Sequence, residues 1–361
     1  MDDAAARPPQ TFRIETAGRA VRVTIVAAIV VLLALALLPM FAGRTLIQDL
    51  IFLFYMLALA QCWNLLAGYA GLISVGQQAF VGLGGYLLFA LTLIGGLNPL
   101  LAIPLAGIIS ALFALPTALI VFRLRGAYFA IGTWVVAEVY RLVFAQIKPL
   151  GGGTGTSLTP SITSSVPGID WVKALLDVRT PAARDIVSYW VALALVACTL
   201  AAVYFILRSR RGLALGAIRD QEAASGLGVD IYRIKLAVYV ATAAITGMIG
   251  ALIYLQKARI SPDAAFSVLD WTAYVIFIVV IGGIGTMEGP VIGAIIFYLM
   301  QRYLADFGAS YLILLGTLGI VVMLFAPRGL WGLVAERYGL TLFPTRRRLV
   351  TEADKRVQLN P

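Results

Sequence analysis

The chain contains no histidine. That absence removes the commonest metal ligand and the usual general base near neutral pH. None of its five lysines follows a glycine, so there is no Gly-Lys phosphate loop. No Gly-x-Ser-x-Gly nucleophile turn occurs either. These gaps argue against catalysis by this polypeptide, and energy from a nucleotide would have to come from another subunit. The two cysteines, Cys62 and Cys198, each lie in an apolar run, where a free thiol acts as a small hydrophobe; no disulfide framework is implied. Charge is scarce too, at 13% of 361 residues.

Apolar residues fill the space left, at 61% of the chain with a mean hydropathy of +0.92, well outside the range of soluble domains. Val23 to Ala42 is a run of twenty residues without a charge, enough to cross a hydrocarbon core of about 30 Å. A cleaved signal peptide does not fit, because the leading segment carries Asp2, Asp3 and Glu15 and lacks a small-residue cleavage pattern. Further apolar stretches fall near 50–67, 72–94, 99–122, 126–145, 186–207, 234–256, 271–303 and 309–326. Within 271–303 the run Gly282-Gly283-Ile284-Gly285-Thr286-Met287-Glu288-Gly289-Pro290 interrupts the apolar pattern. Broken backbone at membrane depth must be buried in protein or line water, so this stretch is expected to be two short spans or a re-entrant hairpin.

Charge placement supports the break. With the N-terminus inside and each span reversing direction, the inner segments hold 19 cations. These are Arg7, Arg13, Arg19, Arg22, Arg123, Arg125 and the basic residues of 208–235 and 328–356. The outer segments hold eight: Arg44, Lys148, Lys173, Arg179, Arg184, Lys257, Arg259 and Arg302. Arg141 lies within a span. A single helix over 271–303 would put the basic tail around Arg346-Arg347-Arg348 outside, whereas two spans return it to the cytoplasm. The expectation is an all-α polytopic membrane protein of about ten spans with both ends inside. Residues 1–22 form a cytoplasmic segment, 23–326 the membrane domain and 327–361 a basic tail. The net charge of +10 needs no nucleic acid, since a basic tail beside anionic headgroups accounts for it.

Two segments look alike. Gly68 to Tyr86, with Ser74, Gln77 and Gln78 at its break, and Gly282 to Gly293 are both dense in glycine and both lead into an apolar helix. Paired glycine interruptions at matching places in two halves point to a transporter built from inverted repeats, with its pathway between the halves. The plainer reading is close helix packing in lipid. Other polar groups within spans are few. Gln61 and Asn64 share one face, Thr133 lies in 126–145, and Glu138 with Arg141 forms an i,i+3 pair on one helix face. An intramembrane carboxylate is a functional candidate by default, but this one carries its own counter-ion. Glu288 has no partner nearby in sequence and reads as solvated in an inner loop. The candidate pathway residues are Asn64, Ser74, Gln77, Gln78, Thr133, Glu138, Gly283 and Gly285.

The loop 208–235 is basic and rich in small residues. Asp220 suits an N-cap, Glu222 falls in the first turn where the helix dipole favours it, and Gly228 suits the stop. The pattern predicts a short helix over 213–219 and a second over 221–227, whose small faces (Ala214, Gly216, Ala217, Ala223, Ala224) would let a partner approach closely. An ordinary inner linker is the alternative.

Glu222-Ala223-Ala224-x-x-x-Gly228 resembles the coupling loop of ABC importer permeases, which docks into the ATP-binding subunit. The wider run from Arg211 to Asp230, followed by Tyr232-Arg-Ile-Lys-Leu, is similar to the membrane subunits of branched-chain amino acid importers of the LivM type. Gly71 to Tyr86, Leu124 to Ile131, Gly151 to Gly155 and Gly282 to Pro290 agree with it, and together they cover most of residues 45 to 335. Gln78 departs from the pattern, standing where the family commonly has alanine.

The resemblance implies a pseudo-symmetric permease core in a bacterial inner membrane, with no cofactor of its own. It implies partners as well: a second, similar permease subunit, two ATP-binding subunits and a periplasmic or lipid-anchored amino acid-binding protein. Arg219, Asp220, Glu222, Ala223, Ala224 and Gly228 would make the coupling contact. The outer segment 146–185 would receive the binding protein, unless it is a plain connecting loop. Leucine, isoleucine, valine or an amide such as urea fit the pathway equally well. An ion-coupled secondary transporter would show an unpaired carboxylate at mid-membrane, where this chain offers only the self-paired Glu138. A membrane-embedded enzyme is opposed by the missing histidine.

Overall fold

The computed structural model describes residues 13–15, 19–219, 230–304, 307–338, 343 and 348–350. It is a bundle of helices: α1 (Arg19–Leu37), α2 (Arg44–Asn64), α3 (Gln77–Phe89), α4 (Pro99–Val121), α5 (Ala127–Ala145), the short α6 (Pro160–Ser164) and α7 (Ile169–Leu176), and α8 (Thr180–Arg208). There follow α9 (Arg210–Arg219), α10 (Ile231–Lys257), α11 (Pro262–Ala265), α12 (Tyr274–Gly282), α13 (Gly289–Leu304), α14 (Ala309–Phe325) and α15 (Gly329–Tyr338). Among the described residues, strands are confined to two-stranded pairs, β1 (Arg13–Glu15) with β4 (Arg348–Val350) and β2 (Thr156–Ser157) with β3 (Arg259–Ile260), both antiparallel. The first pair brings the two ends of the chain together at one end of the bundle. The other end carries 146–179 and is called the loop end below.

Among the described residues, eight stretches are long and apolar enough to cross a membrane, and Val26–Met40 is a shorter apolar helix. The expectation is about ten spans; α13, the second half of the interrupted stretch, is 16 residues long. Helix α1 begins at Arg19, four residues before the expected Val23. The apolar stretch 271–303 is two helices. A Cβ on Gly282 would strike the Gly289 carbonyl and one on Gly293 the Ile278 carbonyl, so α12 and α13 lie antiparallel about the turn at 283–288.

Among the described residues, three helices carry a π turn: Leu65–Tyr69 prolongs α2, Ala90–Ile94 prolongs α3, and Leu269–Ala273 leads into α12. Such wide turns interrupt the ordinary ladder and concentrate at functional sites. Helix starts follow local chemistry. Asn98 accepts from the Leu100 amide at 2.9 Å just before Pro99, and Asp230 accepts from the Arg233 amide at 3.1 Å. At the loop end, Asp185 on α8 accepts from Arg44 Nε at 2.7 Å and Gln48 Nε2 at 2.9 Å, tying α8 to α2. Tyr189 and Trp190 of α8 donate to the Leu35 and Ala36 carbonyls at 2.7 and 3.0 Å, which holds α1 in place.

The centre of the bundle is α10, packed against α3 and α4. Small residues make this possible: a Cβ on Gly250 would strike the Val81 carbonyl, and one on Gly84 the Gly247 carbonyl. Lipid offers no hydrophobic drive between helices, so close backbone packing carries their association. The outer faces of α1, α4 and α14 expose large apolar side chains such as Leu33, Leu112, Leu119, Ile313 and Leu324. Gly250→Ala is therefore expected to lower the unfolding temperature in detergent, at about 1–3 kcal/mol for overpacking. Gly316, which has open space beside it, is the opposite case. Gly316→Ala should be neutral or stabilising by about 0.5–1 kcal/mol. Equal behaviour of the two variants in a thermal denaturation series would contradict this account of the core.

Candidate functional site

Both glycine-rich breaks hang on one helix. After its π turn, α2 ends at Tyr69, and Gly71 (φ +67°) lets the chain reverse without a Cβ penalty. Residues 70–76 then climb back along α2: Trp63 Nε1 donates to the Ser74 carbonyl at 2.8 Å, and Gln77 Nε2 donates to the Leu59 carbonyl at 2.9 Å. Leu59 lies ten residues before Tyr69, so α3 begins about 15 Å up from the end of α2. The expected span 72–94 is thus an extended re-entrant piece followed by a helix that starts at Gln77.

The extended piece is satisfied from its other side by α5 and α12. The Val75 amide donates to Thr133 Oγ1 at 3.0 Å, and Gly76 packs on the Thr133 backbone with no room for a Cβ. The Gln78 amide donates to Thr272 Oγ1 at 3.3 Å, and that hydroxyl donates in turn to Gln78 Oε1. Thr272 lies in the π turn before α12.

The second break docks on the same region of α2. Asn64 spends both ends of its amide there, Nδ2 donating to the Thr286 carbonyl at 2.7 Å and Oδ1 accepting from the Gly285 amide at 2.8 Å. Gln61 Nε2 donates to the Met287 carbonyl at 2.7 Å. Gly68 touches this turn so closely that an added Cβ would lie 2.6 Å from Gly285 N. Gly283 (φ +133°) and Gly285 (φ +75°) supply conformations that other residues resist.

Glu288 corrects the solvated reading. It is 7% exposed and accepts from the Phe343 amide at 2.9 Å. Its carboxylate also stands at the start of α13, where the helix dipole favours negative charge. The partner lies 55 residues away in sequence, beyond any local pattern.

Asn64, Ser74, Gln77, Gln78, Thr133, Gly283 and Gly285 are thus brought into one buried assembly, and their bonds go mostly to backbone. Three amide atoms in it stay buried without a partner in the structure: Gln61 Oε1, Gln77 Oε1 and Gln78 Nε2. Glu138 is not part of the assembly. It sits five residues beyond Thr133, which turns it to the open face of α5. There Arg141 bonds Glu138 at 2.6 Å and Asp263 of α11 at 2.7 Å, so the pair is a triad. Gln61 was recognised as polar but not as a site residue. Thr272, at the edge of the apolar run 271–303, and Asp263, in the segment between two such runs, are not among the sequence candidates.

In the loop 208–235, α9 runs from Arg210 to Arg219, three residues earlier than expected at its start. Arg219 ends it. Asp220, Glu222, Ala223, Ala224 and Gly228 lie outside the described residues, as does the expected helix over 221–227.

A multi-pass bundle with two broken helices sharing one polar support is the architecture of a membrane permease. Residues 45–326 match the family model described as "Branched-chain amino acid transport system / permease component", and the chain belongs to that family. It is 30% identical over 279 residues to the high-affinity branched-chain amino acid transport system permease protein LivM of Escherichia coli K12, and 29% identical to LivM of Salmonella typhimurium. Both alignments cover 74% of this chain and 65% of the relative, so the chain spans about two thirds of the length of the curated relatives it matches. The permease protein BraD of Pseudomonas aeruginosa is 32% identical over 134 residues, covering 36% of this chain and 42% of that protein. No solved structure matches.

Asn64→Leu removes a donor and an acceptor at once and leaves the half-buried Thr286 carbonyl and Gly285 amide without these partners. Each orphaned group costs about 1–3 kcal/mol. The expected outcome is a lower unfolding temperature together with faster thiol labelling of an Ile284→Cys reporter in the turn. Unchanged labelling and stability would mean that the break is held some other way.

Proposed function

We propose that this chain is one half of the translocation pathway of an ABC importer for branched-chain amino acids, completed by a second, similar permease subunit. The loop end would face outward and receive a binding protein, and both termini would be cytoplasmic. Two separate ATP-binding subunits would dock on the run that includes Arg219, Asp220, Glu222, Ala223, Ala224 and Gly228.

One observation carries the half-pathway reading. The open face of α5 holds Glu138 and Arg141, joined by Asp263 of α11, with side chains 46%, 28% and 83% exposed, beside exposed Ile131, Trp134, Val135 and Leu142. Charges on a span do not face hydrocarbon cheaply; they face protein or a wet cavity. A second permease covering α5, with the pathway between the two, satisfies that demand. The buried assembly behind α5 would then be the rigid wall of the pathway. Its unpartnered amide atoms would become available to a zwitterionic or amide solute when that wall shifts.

The test is uptake into proteoliposomes of the assembled complex, with labelled leucine, isoleucine, valine and urea supplied through the binding protein. Branched-chain amino acids should enter in an ATP-dependent way. Uptake without ATP, driven by an ion gradient, would sink the importer reading, and urea uptake alone would reassign the substrate. Glu138→Gln and Arg141→Ala should each lower uptake by about tenfold or more, equivalent to about 1.4 kcal/mol. Their thermal stability should change by less than about 1 kcal/mol, as for exposed ion pairs.

The coupling assignment has its own test. Ala224→Trp adds bulk to a close interface, and the variant should insert normally but lose uptake and binding-protein-stimulated ATP hydrolysis. If it co-purifies with its ATP-binding subunits and transports at the parental rate, the coupling surface lies elsewhere.

A further inference from the structure

We propose that the groove between α7 and α8 binds one anionic phospholipid, an acyl chain lying in the groove and the phosphate meeting Arg184 and Arg179. The groove has a volume of about 320 Å³ and is walled by Pro167, Trp171, Val187, Trp190, Val191 and Ala194. It is prebuilt: Trp190 is fixed through Nε1 to the Ala36 carbonyl. Trp171, 59% exposed, packs at 6.1 Å from the Trp190 ring.

Its depth fits a lipid. Val187 to Ala194 are residues 8 to 15 of the 29-residue helix that starts at Thr180, and they begin at the loop-end edge of the apolar run 186–207, where tryptophans mark the membrane interface. The groove also continues. Val187, Val191, Ala194, Cys198, Ala201 and Phe205 follow one helix face at alternating spacings of four and three. From Ala194 onward that face is exposed. The small side chains at 194, 198 and 201 carry a shallow channel on through the middle of the helix, long enough for an extended chain.

The charge sits at the correct end. Arg184 is on the same face one turn nearer the loop end, and in a helix its side chain leans farther that way. Its Nε is buried without a hydrogen-bond partner. The adjacent carboxylate, Asp185, is already taken by Arg44 and Gln48. Among the described residues neither Arg184 nor the exposed Arg179 pairs with a carboxylate. A guanidinium fork with no carboxylate, set above an apolar slot, is complementary to a phosphodiester with a hydrocarbon tail. The inference is independent of what the permease carries.

The full chain, in its complex, would be placed in nanodiscs of phosphatidylcholine with graded phosphatidylglycerol, then extracted into detergent and its retained lipid identified by native mass spectrometry. The parent should retain phosphatidylglycerol over phosphatidylcholine. Arg184→Gln should lose that preference, and Ala194→Trp should lose the retained lipid of either kind. Leu112→Trp, on the exposed face of α4, should match the parent. Inorganic phosphate should neither displace the lipid nor reproduce its effect on unfolding temperature. Parental retention in both Arg184→Gln and Ala194→Trp would overturn the proposal. Full competition by phosphate would reduce the site to an anion site, and protection of Trp171 by the binding protein but not by lipid would make the groove a protein contact. Should Ala194→Trp fail to fold, brominated phosphatidylglycerol gives a second reading. It should quench the parent's fluorescence more than that of Trp171→Phe, and equal quenching overturns the assignment.

Discussion

Everything at the centre of this molecule depends on one constraint: backbone that leaves a helix inside a membrane must find its hydrogen bonds within the protein. The chain leaves its helices twice, at 70–76 and at 283–288, and both departures are secured on the same stretch of α2. Gln61, Trp63 and Asn64 donate to carbonyls of the two breaks, and the Leu59 carbonyl takes a donor from α3. Glycine allows the close approach, with Gly68 against Gly285, and the amides then fix it. The α2 strip is therefore a support whose loss would free two segments at once.

Much of the architecture was legible because it follows from composition and period. The apolar runs, the interruption at 282–290 and the pairing of Glu138 with Arg141 depend on residues close in sequence. The roles of the polar candidates were harder to read. A buried glutamine or asparagine in a span looks the same whether it faces a solute or a backbone carbonyl 222 or 226 residues away. Only the fold distinguishes these, and it assigns Asn64 to backbone. Thr272 and Asp263 escaped notice for the same reason, since their partners, Gln78 and Arg141, belong to other helices. The burial of Glu288 has no local signature, because the amide it receives comes from 55 residues further along the chain.

The cations placed outside by the charge count have found separate employments. Arg44 ties α2 to α8 through Asp185, Arg302 joins Asp49 on α2, and Lys257 lies 4.8 Å over the Trp271 ring. Each is neutralised or screened by a neighbour. Among the described residues, Lys148, Arg179, Arg184 and Arg259 have no such ion pair or ring contact.

The three π turns decouple helix length from helix phase. A π turn holds one residue more than the α turn it replaces, so everything beyond it is rotated by about 100° relative to an unbroken helix. At Leu269–Ala273 that rotation aims Thr272 at the start of α3. Removing a single residue there would restore a regular helix while swinging the whole of α12, and the turn that Asn64 holds, onto a different face. The register of this permease is thus kept by a few surplus residues as much as by the helices they interrupt.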